Sequence, residues 1–186
     1  MRFFTFAILM LMVTVLLTSL SYMMVGISGE KSARVTEVVV SAIPAQAWMD
    51  GKLIAFTAIG LIVGVVWTLS LLVVAVPLSF AIPGTVHAGN LAITLLYALL
   101  GLMLYNAFIA ALMASAQNLQ TASRWQSNFL MLPFVPMVFL GALLDAPDTG
   151  WVMAVSQVPF FSPVMIPTRL VLGAVQPWEV ALGLVL

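Results

Sequence analysis

Long apolar runs separated by short polar stretches make up almost the whole chain. Phe3 to Ile27 is uncharged over 25 residues. As an α-helix such a run would be about 37 Å long, enough to cross a hydrocarbon core of about 30 Å with some tilt. An Arg at position 2 ahead of an apolar run also suits a signal peptide, but the apolar region of a signal is only about 7–15 residues long. The run therefore reads as a spanning helix over residues 3–27. Further spans are expected over 53–82, with Pro77 and Pro83 near its far end, and over 91–115. A fourth, over 129–144, contains Pro133 and Pro136, which predict a kink or a break. The stretches PGTVHAGN (83–90) and DAPDTG (145–150) read as turns, and AQNLQTASRWQSN (116–128) as a polar link. In WVMAVSQVPFFSPVMIPTRL, Pro159, Pro163 and Pro167 forbid one regular spanning helix. A re-entrant outer segment over 151–166 is expected there: a short helix from Trp151 to Val158, a turn near Phe160–Pro163, and a helix restarting near Pro167. That last helix forms a fifth span over 167–186, still apolar at Leu186. No fixed-period internal repeat is visible.

Composition agrees with this pattern. The chain is 63% hydrophobic and only 6% charged, with a mean hydropathy of +1.20. A soluble domain carries about 25% charged residues. The expected class is all-α: a polytopic helical membrane protein with about five transmembrane helices and membrane lipids as its surroundings. Zero net charge argues against nucleic acid as a partner. Without Cys there is no thiol nucleophile and no thiolate metal site. Lys and Arg in short loops mark the cytoplasmic side. Lys31, Arg34 and Lys52 lie between the first two spans and Arg124 follows the third, whereas 83–90 and 145–150 contain neither residue type. Residues 29–52 and 116–128 are therefore cytoplasmic, and residue 1 starts outside. Arg2 dissents, outweighed by the three basic residues across the membrane.

Charge is concentrated as well as scarce. Residues 29–53 hold six of the twelve acidic and basic side chains: Glu30, Lys31, Arg34, Glu37, Asp50 and Lys52. Residues 30–42 read as an amphipathic helix, with Val35, Val38, Val39 and Ala42 at i, i+3, i+4 and i+7. Ser28 or Gly29 can cap its start, Glu30–Arg34 and Arg34–Glu37 are helical charge pairs, and Pro44 ends it. Trp48, in the turn that follows, suits the membrane interface. One reading is a surface helix lying on lipid headgroups. The helix is not basic, however, and balanced charge suits a protein surface better than an anionic lipid surface.

The stretch GEKSARVTEVVVSAIPAQAWMDGKLIA resembles the segment after the second transmembrane helix in permease subunits of type-2 ATP-binding-cassette (ABC) exporters. The matching positions are Glu30, Lys31, Arg34, Glu37, Val39, Ser41, Gly51 and Lys52. QNLQTASRWQSNFLMLPFVP is similar to the cytoplasmic link and proline-bearing fifth helix of that family. VPFFSPVMIPTRLVLGAVQPWEVALGLVL is similar to its re-entrant outer segment and the start of its sixth helix. The similarity is closest to the sodium-extruding branch. It implies a chain that lacks the first helix and the external domain, a cell-membrane location in a prokaryote, and a second permease copy or homologue as dimer partner. It also implies that residues 30–42 are a coupling helix docking on a separate ATP-binding subunit, through Glu30, Lys31, Arg34, Glu37, Val38 and Ser41. On that reading the chain binds no cofactor itself, and ATP belongs to the partner.

Other classes fit less well. An intramembrane enzyme needs a buried Asp pair, a Ser with a base, or metal ligands. The sole His87 lies in an outer turn, and Asp145 and Asp148 lie in a loop. No G-x-x-x-x-G-K-[ST] phosphate loop occurs, so ATP hydrolysis falls to another chain. An ion-coupled transporter usually places ionisable residues at membrane depth, and the first four spans hold none. Arg169 in the fifth is expected to snorkel outward or to pair with Asp145 or Asp148. A structural membrane subunit remains as a third class. The orientation is testable in intact cells, because no native Cys competes for label. An impermeant thiol reagent should modify Thr85→Cys and spare Ser32→Cys; the reverse pattern would overturn the topology.

Overall fold

The computed structural model describes residues 2–33, 35–75, 88–116 and 119–185, and every regular element among them is helical. Three long helices dominate: α1 (Arg2–Ser32), α3 (Ala45–Ala75) and α4 (Ala88–Ser115). None contains a proline, so each keeps its backbone N–H and C=O groups paired along its length, as hydrocarbon requires. The short α2 (Val35–Ala42) joins α1 to α3, and α5 (Leu119–Phe129) follows α4. A fourth apolar stretch, Ser127–Asp145, is broken at its prolines. It passes from α5 through a 3-10 turn at Leu132–Phe134 into α6 (Val135–Val138) and α7 (Leu140–Asp145), with Pro133 and Pro136 both buried. Among the described residues four stretches are long and apolar enough to cross a membrane. The chain is a polytopic helical membrane protein.

Three shorter helices complete the chain: α8 (Gly150–Ser156), α9 (Ser162–Val171) and α10 (Pro177–Val185). Here the expected fifth span, 167–186, is corrected. The helix restarts at Ser162 rather than near Pro167, because Pro163 sits in its first turn, where a missing N–H costs nothing. Pro167 is accommodated inside the helix. α9 then stops at Val171. Gly173 has φ 71°, with Gly173 N–H donating to Leu170 O and Ala174 N–H to Arg169 O. That pair of bonds is the Schellman arrangement, which favours Gly because its αL conformation carries no Cβ penalty. With 10 and 9 residues, α9 and α10 reach only about 15 Å each. The second span also differs at its start. α3 begins at Ala45 instead of residue 53, with Pro44 just ahead of its first turn, where proline is tolerated. Residues 76–82 of that expected span lie outside the described residues, as do 83–87 of the turn that follows, His87 included. The polar link 116–128 folds as α5 from Leu119 onward, with 117–118 outside the description.

The core forms where α9 lies between α1 and α4. α1 presents a buried stripe, Leu9, Met12, Val13, Leu16, Leu20, Met23, Met24 and Ile27, at helical spacing. Leu102, Tyr105, Ile109 and Met113 of α4 and Val164 and Met165 of α9 join the same cluster. All ten residues of α9 are buried, which suits an irregular segment that has to be shielded from lipid. α3 packs on α1 and α4 from outside, leaving Ile54, Ile62, Val66, Leu69 and Val73 exposed to the surroundings. The turn between α8 and α9 is fixed by aromatic contacts. Tyr105 Oη donates to Phe160 O at 2.6 Å, and the Phe160 ring meets those of Tyr105 and Phe108 at 5.5 and 5.1 Å. The other end of that hairpin is marked by Phe139 against Trp151 at 5.8 Å.

α9 approaches α4 closely at Gly101. A Cβ there would lie 2.4 Å from Cβ and 2.7 Å from Cγ of Pro163, a rigid ring. Gly101→Ala should destabilise the protein by about 1–3 kcal/mol through overpacking, despite the roughly 1 kcal/mol that helix propensity favours Ala. Gly89→Ala, on the same helix with nothing within 4 Å of its Cβ, should be neutral or stabilising. Thermal unfolding in detergent compares the two, and equal melting temperatures would contradict this packing.

Candidate functional site

The charged segment expected to form one amphipathic helix is divided between two. α1 continues through Ser32, and α2 starts at Val35. Glu30 and Lys31 therefore belong to the last turn of α1, Glu37, Val38 and Ser41 to α2, and Arg34 lies outside the described residues. Of the four predicted apolar positions of α2, Val39 is partly buried and the other three are open. Val35 and Ala42 are exposed, and Val38 is 71% exposed. Val40 and Ile43 are exposed as well, so the segment stands out from the body of the protein. Ser41 Oγ donates to Val38 O at 2.6 Å, a local bond that leaves the hydroxyl at the surface. Pro44 follows α2, as expected, and α3 starts immediately after it.

The expected i,i+4 partner of Glu30, Arg34, lies outside the described residues. The Glu30 carboxylate accepts from Lys52 Nζ in an ion pair that joins the end of α1 to the start of α3. The lysine also lies over the Trp48 ring, 4.4 Å from its centroid, a cation–π contact within α3. Lys52 is only 8% exposed, while the Glu30 side chain keeps 26% of its surface open, so the pair is shielded mainly on the lysine side. The hairpin made by α1, α2 and α3 brings Lys52 alongside Glu30.

Two further polar constellations lie away from this end. In the membrane-spanning bundle, Asn106 Nδ2 of α4 donates to Ser19 Oγ of α1 at 2.9 Å and lies 3.4 Å from Thr57 Oγ1 of α3. Ser19 Oγ donates in turn to Phe56 O at 2.9 Å, so three helices share one polar junction. The sequence reading missed it, although a lone amide in a long apolar run is a visible signal. At the α8–α10 end, Arg169 is completely buried and does not snorkel. Its Nη1 donates to Ser156 Oγ at 2.9 Å and to the buried Glu179 carboxylate. Nε donates to Pro147 O at 3.0 Å, and Nη2 to Ala174 O at 2.8 Å. The expected partner, Asp145 or Asp148, is thus replaced by Glu179, because the Gly173 turn folds α10 back onto α9. Glu179 also accepts from Gln176 N–H at 3.0 Å, capping α10. The run Gln176-Pro177-Trp178-Glu179, with Pro at the first helical position and Glu at the third, carries that signal in the sequence.

Comparison with known proteins places the chain in a family. The family described as ABC-2 family transporter protein matches residues 1–186. The chain belongs to that family. It is 25% identical over 154 residues to the uncharacterized protein MJ1024 of Methanocaldococcus jannaschii, covering 82% of this chain and 37% of the relative. It is 26% identical over 176 residues to the uncharacterized protein YhaP of Bacillus subtilis, covering 85% of this chain and 40% of the relative. The chain thus spans about two fifths of the length of the curated relatives it matches. No solved structure matches it.

The Arg169 network allows a direct test of burial energetics. Removing one partner leaves an uncompensated buried charge, so Arg169→Met or Glu179→Gln should each destabilise the protein by about 3–5 kcal/mol. The double replacement Arg169→Met/Glu179→Met should cost much less than the sum of the two, because the sites are coupled. Asp148→Asn should stay within about 0.5 kcal/mol of the parent. Unfolding in detergent reads all four variants, and additive losses would contradict the pairing.

Proposed function

We propose that this ABC-2 family chain is the membrane-spanning permease part of an ABC-type exporter, and that α2 docks on a separate ATP-binding subunit. The observation that carries the reading is the apolar face of α2, turned outward at Val35 and Val38 on a helix that stands out from the bundle. An exposed apolar helix face flanked by charges of both signs fits a groove on a soluble protein. Val38 and Ser41 are exposed on that helix, and the docking reading assigns Lys31, Arg34 and Glu37, their neighbours in sequence, to the same contact. Glu30 stands just behind it, engaged with Lys52.

In this reading ATP is bound and hydrolysed by the partner, and this chain needs no cofactor of its own. Closure of two ATP-binding subunits would displace α2 and, through it, the ends of α1 and α3, moving the bundle between inward- and outward-facing states. A second permease copy or homologue would complete the pathway, with the exposed side of α3 and the surrounding lipid available to it. Relatives from an archaeon and a bacterium support a prokaryotic plasma membrane as the location. Resemblance to the sodium-extruding branch favours a small cation as the exported substrate.

Docking through α2 is tested with the full-length permease and its ATP-binding subunit. Glu37→Lys and Arg34→Glu should each weaken co-purification at least about tenfold, since a like charge in a docking groove costs several kcal/mol. ATP hydrolysis by the complex should fall in parallel, with the fold intact by thermal unfolding. Wild-type association and hydrolysis in both variants would leave α2 as a helix lying on lipid headgroups.

A further inference from the structure

The Glu30–Lys52 pair occupies a mechanically telling position. α2 lies between two non-helical joints, the turn at Ala33 on the α1 side and residues 43–44 on the α3 side. A short helix held this way would swivel under load, and the ends of α1 and α3 would bend separately. The ion pair bridges those two ends directly behind the joints.

Local helix energetics do not account for Glu30. It lies in the last turn of α1, the end at which the helix dipole disfavours an anion. The position serves the lysine of α3 instead. Lys52 is largely desolvated, and Trp48 covers its ammonium, so water competes poorly for the pair. Farther along, α1 and α3 meet again at the Ser19–Phe56 hydrogen bond, where Asn106 adds α4. Ser19 and Glu30 are separated by about 16 Å along α1 at the rise of an α-helix. One attachment would let the two helices rotate about it, whereas two oppose that rotation.

We propose that Glu30 and Lys52 form a clasp that makes α1 and α3 move as one body, so that displacement of α2 is delivered to the Ser19–Phe56–Asn106 junction and hence to α4. Both are positioning residues and lie outside the docking surface. This rests on the reading of α2 as the docking helix, and the test separates the two.

Spin labels are placed at Gly29→Cys and Gly51→Cys, where an added Cβ meets nothing within 4 Å. In the isolated full-length permease, the label–label distance distribution should be narrow for the parent clasp. It should become at least about twofold broader with Lys52→Gln, the lost charge pairing no longer holding the helix ends together. The exchange Glu30→Lys/Lys52→Glu should narrow it again. In the complex with the ATP-binding subunit, Lys52→Gln should keep co-purification within about twofold yet lower ATP hydrolysis roughly tenfold, and the exchange should restore most of it. An unchanged distance distribution overturns the clasp. So does unchanged hydrolysis, or a loss of co-purification matching that of Glu37→Lys, which would put the pair in the docking surface. If Glu37→Lys is silent while the label distances still respond to Lys52, the docking reading fails and the tie between α1 and α3 stands.

Discussion

A guanidinium withdrawn from water costs several kcal/mol unless its charge is neutralised and its N–H groups find acceptors. Arg169 meets both conditions within one small region, with acceptors on Pro147, Ser156, Ala174 and Glu179. These come from the loop after α7, from α8, from the turn after α9 and from α10. The packing of that end follows from the one side chain. α8 and α9 turn back at Phe160, α9 ends in the Gly173 turn, and α10 starts where Glu179 can cap it and face the arginine. With every residue buried, α9 then fills the space between α1 and α4, and its interruption by proline is hidden from lipid.

Charge is used sparingly and at junctions. Two ion pairs among the described residues each join helices at their ends: Arg169–Glu179 links α9 to α10, and Glu30–Lys52 links α1 to α3. They differ in setting. The first is sealed and satisfied on every side, as suits an anchored segment. The second stands behind a helix that projects outward, with its glutamate partly exposed. Between them the uncharged Asn106 junction ties α1, α3 and α4 without placing a charge at membrane depth.

Much of the architecture was legible in one dimension. Runs of apolar residues located the spans, since crossing a bilayer with a helix demands a minimum uninterrupted length. Pro133 and Pro136 marked the break in the fourth, Pro44 marked the end of α2, and the prolines from Pro159 onward marked the turn between α8 and α9, because a missing N–H acts on its own local turn. The concentration of charge at residues 30–52 marked the segment that stands apart from the bundle.

Partners distant in sequence were beyond that reach. The natural local partner of Glu30 is Arg34, and only the hairpin brings in Lys52. The nearest acids in the adjoining loop to Arg169 are Asp145 and Asp148, and only the fold-back at Gly173 presents Glu179. The sides of the helices were equally hidden. α1 buries Leu9, Leu16 and Met23 against the protein while α3 exposes Ile54, Ile62 and Val73. Nothing in the composition of the two helices distinguishes those faces. Lipid is as apolar as a protein core, so a membrane helix needs no polar side, and the sequence determined which segments enter the bilayer. Which residues face one another was decided by tertiary packing, where shape and a few buried polar groups discriminate and hydrophobicity does not.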